Sequence, residues 1–107
     1  RPCQRRIRRM ASGMNPVRDK KMYYVYVIKS LSSNYWYTGV ASDLRKRFIQ
    51  HQTASTGWTK HHRPYELIYY EACRNIDDAM AREKYLKTGM GKRYLKNRMK
   101  RFLSLTE

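Results

Sequence analysis

The chain is 107 residues long and carries 24 Lys and Arg against 8 Asp and Glu, which gives a formal net charge of +16. This length allows one domain with a modest hydrophobic core and excludes two. The first 21 residues account for +7 of the charge, so +9 remains on the rest of the chain. Such an excess of positive charge indicates a polyanionic partner such as nucleic acid.

The cysteine content and the hydropathy pattern indicate a soluble, cytoplasmic protein. Two cysteines, Cys3 and Cys73, are too few for a disulfide framework and are interpreted as free thiols in a reducing compartment. No apolar run approaches the roughly 20 residues of a membrane span. The basic N-terminal segment also lacks the apolar stretch of a secretory signal. We therefore expect no membrane partner.

Two regions differ in composition. Residues 1–21 lack periodic apolar residues and contain Ser12-Gly13 and Asn15-Pro16. Such a segment cannot bury enough apolar surface to offset its chain entropy, so we predict a disordered basic extension. The alternative is a tail that adds affinity for phosphate. Residues 22–104 are predicted to form the single domain.

Three strands are predicted in this domain. Residues 23–28 and 35–40 are rich in aromatic and β-branched side chains and are separated by the turn residues Ser32-Ser33-Asn34. They should form an antiparallel hairpin. A third strand over residues 66–71 follows Arg63-Pro64, where proline marks the end of a loop.

Three helices complete the prediction. The first covers residues 43–51 with Ser42 as its N-cap, and the second covers residues 78–87 with Asp77 as its N-cap and Gly89 as its end. The third covers residues 92–103, whose apolar positions have helical spacing. The order β-β-α-β-α-α predicts an α+β domain in which helices flank a small three-stranded, mostly antiparallel sheet.

The hairpin places two tyrosines on a common surface. Alternate residues of a strand share a face, so Tyr26 and Tyr37 can lie side by side on the paired strands. The alternative is that both are strand-forming residues that only pack in the sheet.

The first helix places an arginine and a histidine beside these tyrosines. At about 100° per residue, Leu44, Arg47, Phe48 and His51 share one face, and Leu44 and Phe48 must face the core. Arg47 and His51 are therefore expected along the edge of the core rather than in solvent. A guanidinium in such a place is suited to two-point contact with a phosphate.

Glu83 is the acidic candidate. It lies in the stripe of the second helix that is formed by Ile76, Ala79, Met80 and Leu86. A carboxylate that faces inward in a very basic domain is a natural ligand for a hard metal ion. The alternative is a surface salt bridge to Lys87 or Arg82.

Together these residues resemble the GIY-YIG nuclease domain, over residues 22–103. The two motif tripeptides are Tyr24-Val25-Tyr26 and Tyr37-Thr38-Gly39. Arg47 follows eight residues after Gly39, His51 one helical turn later, and Glu83 in the second helix. The similarity is greatest to small stand-alone bacterial members of the excinuclease-like or endonuclease-like type.

The resemblance implies a metal-dependent endonuclease that hydrolyses phosphodiester bonds in DNA, with repair or recombination as associated processes and RNA not excluded. Tyr26 or Tyr37 would take a proton from the attacking water, and His51 would orient the water or a tyrosine. Arg47 would stabilise the phosphoryl group, and Glu83 would hold one Mg²⁺ or Mn²⁺ ion. Some members carry a lysine at the position of Val40; Lys29 or Lys46 can replace it.

Basic residues outside this set predict a surface that contacts phosphates. The alternatives to a nuclease are a nucleic-acid-binding module without catalysis and an interaction domain that binds a protein partner in a repair assembly. His61-His62 with Cys73 lack the spacing of a zinc site, and Trp58 can stack on a base. The predicted nucleic-acid-binding residues are Lys46, Lys60, Arg63, Lys92, Arg93 and Lys96.

Overall fold

A computed structural model describes residues 21–54 and 61–106. Except for Lys21, the predicted basic extension lies outside the described residues, as do Lys60 and Trp58. No helix in the described part of the chain is long and apolar enough to cross a membrane. The elements are β1 (Tyr23–Ser30), β2 (Trp36–Ala41), α1 (Leu44–Gln52), β3 (Tyr65–Cys73), α2 (Ile76–Leu86), α3 (Gly89–Arg98) and α4 (Lys100–Thr106).

The three strands form one antiparallel sheet in the order β2-β1-β3, with β1 in the centre. This confirms the predicted α+β class, in which helices flank a small antiparallel sheet. Four consecutive residues of β1, from Val25 to Ile28, are buried. Since successive side chains of a strand point to opposite faces, both faces of this strand are covered.

Different helices cover the two faces. On one side, Val25 and Val27 pack in a cluster with apolar residues of α2, of α3 and of the α3–α4 junction. On the other side, Tyr26 and Ile28 belong to a cluster that includes Leu44 and Phe48 of α1. The α1 side of the sheet holds both tyrosines of the predicted site.

The predicted strands are present with longer or shifted ends, whereas both predicted caps are wrong. Asp43, not Ser42, caps α1, because its Oδ1 accepts a hydrogen bond from Lys46 N at 3.0 Å. Asn75, not Asp77, caps α2, and its Oδ1 accepts from Asp77 N at 2.7 Å. In each case the true cap has extended backbone and a short side chain that reaches the free amides of the first turn.

The predicted third helix is divided in two, and Gly89 is the first residue of α3 rather than the end of α2. Thr88 caps α3, since its Oγ1 accepts from Gly91 N at 3.1 Å. A Cβ at Gly91 would collide with the backbone of Tyr85 and Leu86, so α3 begins in close contact with the end of α2. Met99 interrupts the helix before α4 begins.

The predicted inner stripe of α2 is partly wrong. Ala79 and Leu86 are buried, but Ile76 is 45% exposed and Met80 is 53% exposed. Arg82 is half-buried instead, because its guanidinium pairs with a carboxylate of β3. The helix is therefore rotated so that a salt bridge replaces part of the expected apolar contact.

This salt bridge joins α2 to β3. Arg82 Nε and Nη2 donate to Glu71 Oε1 and Oε2 at 2.9 and 3.0 Å, and Tyr69 Oη donates to Glu71 Oε2 at 2.7 Å. Burial alone would raise the pKa of Glu71, but the hydrogen bonds from Arg82 and Tyr69 outweigh it and lower the pKa. The Arg82 guanidinium also lies 4.8 Å from the centroid of the Tyr94 ring of α3. The Arg82 side chain of α2 thus contacts both β3 and α3.

We expect Glu71→Ala to lower the free energy of unfolding by about 2 kcal/mol, because hydrogen bonds to a charged group are lost and Arg82 is left unpaired. Urea denaturation measures this. Glu66→Ala in the same strand is the matched control, since Glu66 is exposed and makes no ion pair within residues 21–54 and 61–106. Equal losses in the two variants would contradict the importance of the salt bridge.

Candidate active site

Tyr26 and His51 form the centre of the candidate site. Tyr26 is 1% exposed and His51 is 6% exposed, and Tyr26 Oη lies 2.8 Å from His51 Nε2. The Tyr37 ring lies next to both, with its centroid 5.0 Å from that of His51 and 6.3 Å from that of Tyr26. The structure therefore brings together three of the five predicted site residues. A buried hydrogen bond between β1 and α1 joins two of them, and the Tyr37 ring packs beside that pair.

The strand register explains this placement. Tyr26 is opposite Gly39 and Ile28 is opposite Tyr37, so the two tyrosines lie diagonally on the same face of the hairpin. The Tyr26 ring extends across Gly39, where a Cβ would lie 2.5 Å from Tyr26 Oη. Glycine is needed at this position because any side chain would occupy the place of the phenol.

Both members of the central pair are neutral near neutral pH. Burial, then the neighbouring Tyr37, raises the pKa of Tyr26 well above its ordinary value; Arg47 opposes this shift and Glu83 adds to it. Burial, then the positive charge of Arg47, lowers the pKa of His51. For Tyr26, desolvation therefore outweighs the opposing effect of the arginine.

Arg47 is exposed, which corrects the prediction that it lies along the edge of the core. The buried side of α1 consists of His51 and the half-buried Leu44 and Phe48, and Arg47 lies beside this face. Its charge still acts on the pKa values of Tyr26 and His51. The guanidinium is thus near the neutral pair and open to a ligand from solvent.

Glu83 is half-buried on α2, and its charge also acts on Tyr26. Its Oε2 accepts from Lys87 Nζ at 2.9 Å, so the salt bridge that was the alternative interpretation is present. The Lys87 side chain is more than half exposed and can move away from the carboxylate. The position of Glu83 is therefore compatible both with a metal ligand and with a salt-bridge partner of Lys87.

Two residues at the site were not predicted. The centroid of the Tyr65 ring lies 6.1 Å from that of His51, and the Gln52 side chain holds the Tyr65 backbone. Gln52 Nε2 donates to Tyr65 O at 3.0 Å, and Tyr65 N donates to Gln52 Oε1 at 2.7 Å. This double hydrogen bond fixes the end of α1 against the start of β3. A single glutamine carries no sequence pattern that indicates such a contact.

The predicted phosphate-contacting residues that the structure describes lie on α1, just before β3 and on α3. Lys92 and Lys96 line a cleft beyond β2, together with Lys29 and Lys100. The position of Lys29 in this cleft does not support its suggested role as a replacement for the motif lysine. Lys46, Arg63 and Arg93 are exposed elsewhere.

The residues fit a metal ion only through Glu83. Within residues 21–54 and 61–106, no group of three His, Cys, Asp or Glu side chains is arranged to hold a metal ion. Cys73 pairs with Tyr23 at one end of β1, whereas His62 lies near Ser33 at the other end, so these do not form a zinc site. Mg²⁺ is commonly held by one or two carboxylates, several waters and substrate phosphates, and the Glu83 carboxylate suits this type of binding.

The family model described as the GIY-YIG catalytic domain matches residues 22–100. The chain therefore belongs to the GIY-YIG family, which is a family of nuclease domains.

Several bacterial relatives are named only as UPF0213 proteins. The protein of Desulfotalea psychrophila is 30% identical over 74 residues, which cover 67% of this chain and 66% of the relative. That of Staphylococcus saprophyticus is 35% identical over 75 residues, 69% of this chain and 90% of the relative. YazA of Bacillus subtilis is 38% identical over 66 residues, 61% of this chain and 66% of the relative. The chain thus spans just under two thirds of the length of the Desulfotalea psychrophila and Bacillus subtilis proteins. No solved structure matches the chain.

We expect Gly39→Ala to lower the free energy of unfolding by about 2 kcal/mol, because the new methyl group displaces the Tyr26 phenol from His51. Gly89→Ala is the matched control, since nothing lies within 4 Å of its Cβ position. Urea denaturation of both variants measures the difference. An unchanged stability of Gly39→Ala would show that Tyr26 does not need this space.

We expect His51 to make stability depend on pH just below neutrality. Its folded-state pKa is lowered, so the unfolded chain binds a proton first as the pH falls below about 6.5. The contribution of His51 to the free energy of unfolding is fully present above this pH. It is lost as the pH falls toward the folded-state pKa of His51. Urea denaturation between about pH 7.5 and 5.5 should show that the free energy of unfolding falls less with pH in His51→Gln than in the wild type. His61→Gln is the control for removal of an exposed imidazole, and an equal reduction in that variant would contradict the assignment.

Proposed function

We propose that the protein is a metal-dependent endonuclease that hydrolyses phosphodiester bonds in DNA. The observation that carries this proposal is the buried Tyr26–His51 hydrogen bond with Tyr37 packed against it, beside an exposed arginine. Binding of nucleic acid needs positive charge but does not by itself require an exposed arginine beside a buried phenol–imidazole pair. Membership of a nuclease family supports the same conclusion. Repair or recombination is the process that such cleavage would serve.

Arg47 would bind the scissile phosphate. Its guanidinium is exposed on α1, one helical turn before His51, so a phosphate can reach it without displacing the core. Two parallel N–H donors match two phosphoryl oxygens and stabilise the charge that grows on them during attack. Lysine offers the charge without this fork.

Tyr37, acting as its phenolate, is the better candidate for the group that takes a proton from water. Tyr26 is almost fully buried and burial favours its protonated form, so water cannot reach it easily and its phenol resists ionisation. Tyr37 is half-buried and lies beside the neutral imidazole of His51. In this arrangement Tyr26 fixes the His51 ring by their hydrogen bond, and His51, packed against Tyr37, would orient that tyrosine toward the attacking water.

Glu83 would hold one Mg²⁺ or Mn²⁺ ion, which when bound neutralises charge on the phosphoryl and leaving oxygens. Its carboxylate is half-buried on α2 and acts electrostatically on Tyr26. The carboxylate would exchange the ammonium group of Lys87 for the ion. Lys87 would then be free to contact a phosphate of the substrate.

A second candidate is a nucleic-acid-binding domain without cleavage. The Glu83–Lys87 salt bridge at 2.9 Å favours it, because a carboxylate that is neutralised by lysine has less affinity for a metal ion. The two candidates predict different results in a cleavage assay, since both bind DNA and only the first cuts it.

We expect Tyr37→Phe, Arg47→Ala and Glu83→Gln each to reduce nicking of supercoiled plasmid with Mg²⁺ or Mn²⁺ by about 100-fold, because each removes a group from the transition state. The matched controls are Tyr70→Phe, Arg45→Ala and Glu66→Gln, which change the same residue types on exposed surface. DNA binding in EDTA is measured in parallel and should change little in Tyr37→Phe and Glu83→Gln.

Two results would reject the nuclease proposal. One is binding by the wild type without cleavage of plasmid or branched DNA in either metal, which favours the binding domain. The other is cleavage that the three site variants and the three controls reduce equally.

A further inference from the structure

A cleft rich in lysine lies beyond the β2 edge, on the opposite side of the sheet from α1. Its volume is about 690 Å³. It is bounded by the end of the β1–β2 hairpin and by α3 and α4. We call it the lysine cleft, and its defining residues are Lys29, Tyr35, Trp36, Lys92, Lys96 and Lys100.

The lining of the cleft is positively charged, and no ion pair within the described residues neutralises its four lysines. None of them makes an ion pair with another residue in the ranges 21–54 and 61–106, although Lys29 is opposite Glu66 in the sheet register. No acidic residue is among those that line the cleft in the described part of the chain. Four like charges around one concave surface repel each other, and an anionic ligand relieves this repulsion.

The cleft is connected to the candidate active site. A smaller cavity of about 220 Å³ is lined by Trp36, Tyr37, Lys87 and Lys92, among others. It shares Trp36 and Lys92 with the lysine cleft, and it shares Tyr37 with the active site. Lys87 is also the partner of Glu83. The two cavities are therefore neighbours, and Lys87, Lys92 and Trp36 lie between Tyr37 and the cleft.

The aromatic rim of the cleft is held in place. Tyr35 is 56% exposed, and its ring packs edge-on against His62 with their centroids 4.7 Å apart. The backbone of His62 is fixed by the fully buried Ser30, whose Oγ donates to His62 O at 2.6 Å and accepts from Ser33 N at 3.1 Å. A fixed, exposed ring beside a row of lysines is the combination that binds unpaired nucleotides, because bases stack on the ring while cations follow the backbone.

We propose that the lysine cleft binds an unpaired strand that continues from the scissile phosphate, so that the substrate is DNA with a single-stranded arm next to the cut. This inference rests on the proposed nuclease function for its link to cleavage, while the binding site itself is independent of catalysis. Paired bases are stacked inside a duplex and cannot pack on Tyr35, so the cleft distinguishes the arm from double-stranded DNA. The cleft contributes affinity and does not take part in the chemical step.

The test compares Lys96→Ala/Lys100→Ala with the matched control Arg74→Ala/Lys84→Ala. The control removes the same charge from exposed positions on α2 and at the end of β3 remote from the hairpin turn. Fluorescence anisotropy in EDTA measures binding of a labelled oligothymidine strand and of a blunt duplex at several salt concentrations. We expect the cleft variant to bind the single strand about tenfold more weakly and to lower the salt slope by about 1.4, with a much smaller change for the duplex.

A second readout separates binding from chemistry. On a branched substrate with a single-stranded arm, the cleft variant should raise KM about tenfold and leave kcat near the wild-type value, whereas the control should change neither. Equal loss of affinity for single strand and duplex, or equal effects of the two variants, would overturn the inference. If the wild type fails to cleave any DNA while the cleft variant still loses single-strand affinity selectively, the strand site stands and the nuclease proposal fails.

Discussion

The hydrogen bond between Tyr26 and His51 is the contact on which the rest of the site depends. It joins the central strand to α1 in a place from which water is excluded, where an unpaired phenol or imidazole would cost about 1–3 kcal/mol. The ring of Tyr26 reaches His51 only because Gly39 leaves the intervening surface bare. No buried polar side-chain atom within the described residues lacks a partner. The geometry of the pair is therefore fixed by packing and by hydrogen bonding together.

The charged residues are arranged around this neutral pair rather than within it. Arg47 is on α1 and Glu83 is on α2, and these helices cover opposite faces of the sheet. Each remains at least partly hydrated, which avoids the large cost of burying an ion without a partner. Their relative position depends on how α2 sits on the sheet, and the Glu71–Arg82 salt bridge helps to set that position. A contact remote from the candidate site thus contributes, with the packing of Ala79 and Leu86, to where the carboxylate lies.

The sequence predicted the features that follow from strong local patterns. Alternation in the hairpin placed Tyr26 and Tyr37 on one face, and helical spacing placed His51 on the same face of α1 as Leu44 and Phe48, although at its edge rather than buried as it is. The errors arose where several residues satisfy the same local rule. In the structure the caps are Asp43 and Asn75 rather than their polar neighbours Ser42 and Asp77. Gly89 begins a helix although glycine more often follows one. The orientation of α2 and the Gln52–Tyr65 contact depend on residues distant in sequence, which no local pattern reveals.

The β1–β2 hairpin connects the two sides of the molecule. Alternation along β2 places Tyr37 on the α1 side and Trp36 on the side of α3 and α4. One edge strand therefore supplies an aromatic ring to the reacting centre and another to the path toward the lysine cleft. Because β2 is the edge of the sheet, a strand of nucleic acid can pass around it without crossing a layer of helices. In the proposed complex a single strand would follow this turn around the edge strand, whereas a stiff duplex could not.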